Sequence, residues 1–199
     1  MYYHCRPLKY VEYGKIYPPP LKFFEDNDKD WLFNAYVWIG YYCGYCPQIW
    51  LSRSHMNITG FKNKYSEDDI LFAFDIIKGF PVDYDSWCTI LNPLINCKKH
   101  DKIYMDKNII ECFNEMLSNY EEGDEIEDDL LLYWKNNKDF DGLLKKFLFV
   151  EKDQIVVPSL NLKCAKEVIC RNERQKKQLR KMGFIEDRIK IKNIKKFTY

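Results

Sequence analysis

Apolar residues along the chain change their spacing several times, and each change marks an element. Met1 to Arg6 alternates weakly and reads as a short strand. A turn at Gly14 leads to a second extended piece that ends in Pro18-Pro19-Pro20. Acidic caps at Glu25, Asp26 and Asp28 precede Trp31, Ala35, Trp38 and Tyr42 at helical spacing, which predicts a helix over 28–43 buried on most sides. Pro47 ends it, and Gln48 to Ser52 reads as a strand. Asp69 to Ile77 (DILFAFDII) is apolar on both faces, the pattern of a strand at the centre of its sheet.

After a turn through Gly79 and Pro81, the acidic corner Asp83-Tyr84-Asp85 can cap a helix carrying Trp87, Ile90 and Leu91. Asp106 caps a second one over 106–119, with Ile109, Ile110, Phe113, Met116 and Leu117 on one side. Glu121 to Asp129 reads as a solvated connection or a helix start. A short helix follows near Leu143 to Phe147, then strands at Gln154 to Val157 and Glu167 to Cys170. Asn172 with Gln175 is a capping-box pattern, and Gly183 before Phe184 is a helix stop, so 173–182 reads as a helix with a mostly charged surface. Ile189 and Ile191 alternate with Lys190 and Lys192 as a last exposed strand. The expected architecture is a single α+β domain over 1–170, its mixed or antiparallel sheet centred on 69–77 and flanked by the helices at 28–43 and 106–119. A basic helix-strand extension over 171–199 follows it.

Composition sharpens this picture at two points. The net charge of +1 hides an asymmetry: Asp106 to Asp141 holds twelve acids against three bases, and Lys163 to Lys196 thirteen bases against four acids. Local fields of that size steer partners where the total would not. The opening MYYHCRPLKY has no basic stretch followed by an apolar one, so the eight cysteines are expected as reduced thiols in a cytoplasmic protein. Trp31 to Ser52 carries no charge, yet Asn34, Gly40, Gly44, Pro47 and Gln48 with few aliphatics make it a poor bilayer span, and no membrane association is expected.

The chain lacks GxxxxGK[ST], GxGxxG, HExxH and GxSxG, which removes P-loop hydrolysis, Rossmann dinucleotide binding, the common zinc hydrolases and α/β-hydrolases from the leading ideas. Three softer constellations remain. Cys43-Gly44-Tyr45-Cys46 has redox spacing, and Cys43 and Cys46 could join Cys97 and His100 in a tetrahedral zinc site; buried or idle thiols are the plainer alternative. Arg171, Arg174, Lys177, Arg180 and Lys181 on one short helix could follow a phosphate backbone, so nucleic acid is a candidate partner, as is a protein. Only Phe184 and Phe197 accompany those cations, which argues against a single-strand stacking platform. Lastly, His4 and Arg6 on the first strand, Ser52 and Arg53 at the end of another, and Asp83 with Asp85 after the central strand could converge to bind a phosphorylated cofactor and stabilise an oxocarbenium-like centre. A surface cation, a turn serine and helix-capping aspartates are the plain readings of the same residues.

Two stretches carry resemblances. The run Cys46-Pro47-Gln48-Ile49-Trp50-Leu51, followed by Leu71-Phe72-Ala73-Phe74-Asp75-Ile76 and by Asp83-Tyr84-Asp85-Ser86-Trp87 with Leu91-Asn92, resembles an uncharacterised bacterial domain-of-unknown-function family. The likeness spans residues 1 to about 97 and, more weakly, 143–170; it implies a fold and no reaction. The order of a strand with His or Arg, a strand with Ser and a nearby acid is similar to ADP-ribosyltransferase-like domains, which split NAD and pass ADP-ribose to a macromolecule. That resemblance implies NAD as cofactor, with Arg6 or His4 holding its phosphate or ribose, Ser52 supporting the nicotinamide ribose, and Asp83 or Asp85 stabilising the charge that develops as nicotinamide leaves. The expectation is therefore a non-catalytic interaction or regulatory protein with nucleic acid as its leading partner, and an NAD-dependent ADP-ribosyltransferase-like enzyme as the alternative.

Overall fold

The structure, a computed structural model, describes residues 1–20, 39–53, 68–75, 77–83, 111, 128–150 and 154–192. In chain order its strands are β1 (Tyr2–Pro7), β2 (Lys15–Ile16), β3 (Ile49–Ser52), β4 (Asp69–Phe74), β5 (Phe80–Val82), β6 (Gln154–Val157), β7 (Leu160–Asn161), β8 (Glu167–Cys170) and β9 (Ile189–Ile191). Its helices are α1 (Asp128–Asn137), α2 (Phe140–Leu143) and α3 (Glu173–Lys181). The fold is α+β, as the alternating patterns imply. Contacts divide the chain into two compact units, one of residues 1–18, 48–79 and 153–199 and the other of 19–47 and 80–152.

In the first unit six strands lie side by side in the order β6-β3-β1-β4-β8-β9. Every neighbouring pair is antiparallel except β8 and β9, which run parallel with Val168 opposite Ile189. Parallel neighbours need a crossover connection, and α3 supplies it. β4 sits between β1 and β8, and Ile70 to Phe74 are buried without a break, so alternation leaves neither of its faces open. On one face Ile70, Phe72 and Phe74 join Tyr2, Ile49, Leu51, Ile155, Val157, Val168 and Ile189 in a single core cluster. Leu179 and Phe184 close that cluster from the α3 side. Leu179, Phe184 and Ile189, all past residue 170, are thus part of the first unit's core. A separate two-stranded pair, β2 with β7, sets Ile16 opposite Leu160.

The second unit includes β5, a helical stretch at 39–43, α1, and α2 with the π-helical turn Leu144–Leu148 that continues it. Leu130, Leu131 and Trp134 are the buried stripe of α1, and Phe140, Leu143, Leu144, Phe147 and Leu148 the stripe of the next turns. Asp139 caps α2 by accepting the Gly142 N–H at 3.1 Å. The expected helices around Trp31, Trp87 and Asp106 lie wholly or mainly outside the described residues. Among the described residues no helix is long and apolar enough to cross a membrane.

Candidate nucleic-acid interface

The α3 segment is fixed at both ends by its own sequence. At the start, Asn172 is extended, and its side-chain oxygen accepts the Gln175 N–H at 2.9 Å. The Gln175 side chain in turn accepts the Arg171 N–H at 2.8 Å. The first bond satisfies one of the donors that a helix start leaves without an intrahelical partner, and the second ties down the residue just before the cap. At the far end Gly183 takes φ +101°, its N–H reaches the Arg180 carbonyl at 3.0 Å, and the Phe184 N–H reaches Leu179 at 3.1 Å. That double bond is a Schellman stop, and a positive φ is why glycine stands there. Phe184 then turns into the core, edge-on to Tyr13 with ring centroids 4.9 Å apart.

With both ends held, only one stripe of the helix faces inward. Gln175 and Leu179 are buried and Met182 packs against the core, at i, i+4 and i+7. At 3.6 residues per turn the opposite surface carries Arg174, Lys177 and Lys181 at i, i+3 and i+7, spread over roughly 60° of the helix and about 10 Å of its length. All three are exposed, and none makes an ion pair among the described residues.

The other two expected cations behave differently. Arg180 pairs with Glu186 at 3.2 Å, and Lys176 approaches the same carboxylate at 3.6 Å. Such exposed pairs contribute about 0–1 kcal/mol and exchange readily for another anion. Arg171 is half-buried, its Nε shielded from solvent, and its charge bears on the Cys5 thiol. Sequence spacing gave no sign of Glu186 as a partner, because the short turn Glu186–Arg188 folds it back beside α3. Arg188 is held by the Lys163 and Ala165 carbonyls at 3.0 and 3.2 Å, Lys192 pairs with Glu167 at 3.0 Å, and Lys163 lies over the Tyr13 ring at 4.7 Å. Ile189 belongs to the core cluster, so alternation turns Lys190 to the other face of the sheet.

The register of β1 separates the residues expected around NAD. Tyr2, His4 and Arg6 lie opposite Phe74, Phe72 and Ile70 and share their face, whereas Ser52 lies opposite Tyr3 and therefore projects to the other face. His4 Nδ1 is 3.1 Å from the Trp50 carbonyl, and Nε2 is buried with no hydrogen-bond partner among the described residues. Burial, opposed by that hydrogen bond and assisted by Arg6, pushes the imidazole pKa down to about 4, so His4 is neutral at physiological pH. Arg6 donates from Nε to the Tyr10 carbonyl. Ser52 is buried, and Arg53 donates to the Tyr2 hydroxyl at 3.1 Å. Asp83 is a buried residue of the second unit whose N–H donates to the Leu148 carbonyl at 2.7 Å; Asp85 lies outside the described residues.

Of the four residues expected around zinc, Cys97 and His100 lie outside the described residues, and Cys43 and Cys46 are both thiols. Among the described residues no cluster of three or more His, Cys, Asp or Glu is arranged to hold a metal. No protein-family model, curated protein or solved structure matches the chain.

Proposed function

We propose that the protein binds nucleic acid through the outer face of α3, which contacts the phosphate backbone without reading base sequence. The supporting observation is the trio Arg174, Lys177 and Lys181, exposed and without ion-pair partners among the described residues on a helix whose other side is locked into the core. One strand of a duplex presents a phosphate every 3.4 Å of axis, so the roughly 10 Å covered by the trio matches about three phosphates. Their backbone is fixed by the cap and the Schellman stop, so binding orders the side chains and not the helix that carries them. Arg180 adds a fourth charge when phosphate displaces Glu186. Phe184 is 6% exposed and offers no stacking surface, which favours backbone contact over capture of unstacked bases.

The separation of Ser52 from His4 and Arg6 across the sheet also favours this reading over NAD cleavage, which needs its groups to converge on one reacting centre. The test is an electrophoretic shift with two duplexes of unrelated sequence. Both bind equally, and replacing Arg174, Lys177 and Lys181 by Ala weakens both to the same degree. The exposed positions keep each substitution within about 0.5 kcal/mol of wild-type stability, so loss of binding is not loss of fold. Unaltered binding by the triple variant would overturn the assignment.

A further inference from the structure

We propose that Cys43 and Cys46 are a reversible redox pair, closing to an intramolecular disulfide when the protein meets a low-molecular-weight disulfide. The local backbone brings them together. The helical stretch at 39–43 ends where the Gly44 N–H closes on the Gly40 carbonyl at 2.9 Å, and Gly44 takes φ +82°. That left-handed residue reverses the chain. The Cys43 thiol donates to the Tyr45 carbonyl at 3.3 Å, so its sulfur already lies over the reversed segment that carries Cys46. Burial and then the charge of Cys43 raise the Cys46 thiol. Burial and the Cys43 side chain likewise push the Tyr45 phenol up to about 12.

Exposure assigns the roles, since Cys46 is open to solvent and Cys43 is half-buried. The Cys46 thiolate attacks one sulfur of the small disulfide, forming a mixed disulfide and releasing one small thiolate. Cys43 then gives its proton to solvent and attacks the Cys46 sulfur, releasing the second small thiolate. Two electrons pass from the cysteine pair to the reagent, which leaves as two thiols once protonated. Oxidation removes the Cys43 donor from the Tyr45 carbonyl and ties the helix end to the turn. Because the thiolate is the nucleophile and the Cys46 pKa is raised, the first step is slow near neutrality and quickens as pH rises.

The experiment treats the reduced full chain with oxidised glutathione at several pH values, quenches with an alkylating agent under denaturing conditions, and maps the cysteine-bearing peptides by mass. Wild type yields a peptide linking Cys43 to Cys46 that has lost two hydrogen masses and carries no glutathione. Its rate rises about tenfold per pH unit below the Cys46 pKa. Cys43→Ser instead accumulates glutathione on Cys46, which separates a resolving role for Cys43 from mere reactivity of an exposed thiol. A stable glutathione adduct on Cys46 in wild type, or reaction at the exposed Cys164 with none at Cys43 and Cys46, would overturn the proposal.

Discussion

Asn172 and Gln175 are joined across the start of α3. The Asn172 side chain takes the Gln175 N–H at 2.9 Å, and the Gln175 side chain takes the N–H of Arg171, the residue just before Asn172, at 2.8 Å. Asn172→Ala removes one acceptor and is expected to lower stability by about 1 kcal/mol. Gln175→Ala costs at least as much, because Gln175 is buried and its loss also leaves the Arg171 N–H without that acceptor. Urea unfolding of the two variants checks both figures; a wild-type midpoint for Gln175→Ala would show that its bond to the Arg171 N–H does not hold the helix.

Phe72 is fully buried at the centre of β4, opposite His4 on one neighbour and Val168 on the other. Phe72→Ala opens a cavity among residues held on all sides, and a loss of about 3–5 kcal/mol is expected in denaturant unfolding. A loss under 1 kcal/mol would mean that the core cluster is not organised around this strand.

His4 makes stability depend on pH in a defined window. Its folded pKa is depressed from 6.5 to about 4 by burial, so between those values the unfolded chain binds a proton that the folded chain does not. The contribution is complete above pH 6.5, falls as pH drops through the window, and levels off below about 4, for a total of up to about 3 kcal/mol. Unfolding free energies of wild type and His4→Gln, measured at pH 7 and at about pH 4.5, test this. The pH-dependent difference between the two proteins is the signature, and its absence would place His4 in contact with water.

The elements that the sequence displayed are those specified locally. β4 was legible because its apolar run leaves no polar face, and α3 because Asn172, Gln175 and Gly183 encode its two ends within a few residues. α1 was less clear, since the acids up to Asp129 masked the Leu130, Leu131 and Trp134 stripe that begins immediately after them. The two-residue pairing of β2 with β7 has no period to detect. The face shared by His4 and Arg6 but not Ser52 follows from the register of β1 against β3, which a shift of one residue would reverse. The cations in and just before α3 were visible in sequence; their division into exposed Arg174, Lys177 and Lys181, engaged Arg180, and half-buried Arg171 ahead of the helix is tertiary.

Association with a fluorescent duplex oligonucleotide, followed by anisotropy from low to physiological salt, tests the phosphate-binding role of α3 most directly. Wild type is expected to show log affinity falling linearly with log salt concentration. Replacing Arg174, Lys177 and Lys181 by Ala should make that slope shallower by about 3, close to one per lost phosphate contact. No duplex binding by wild type at low salt, or a slope that the triple variant leaves unchanged, would contradict it.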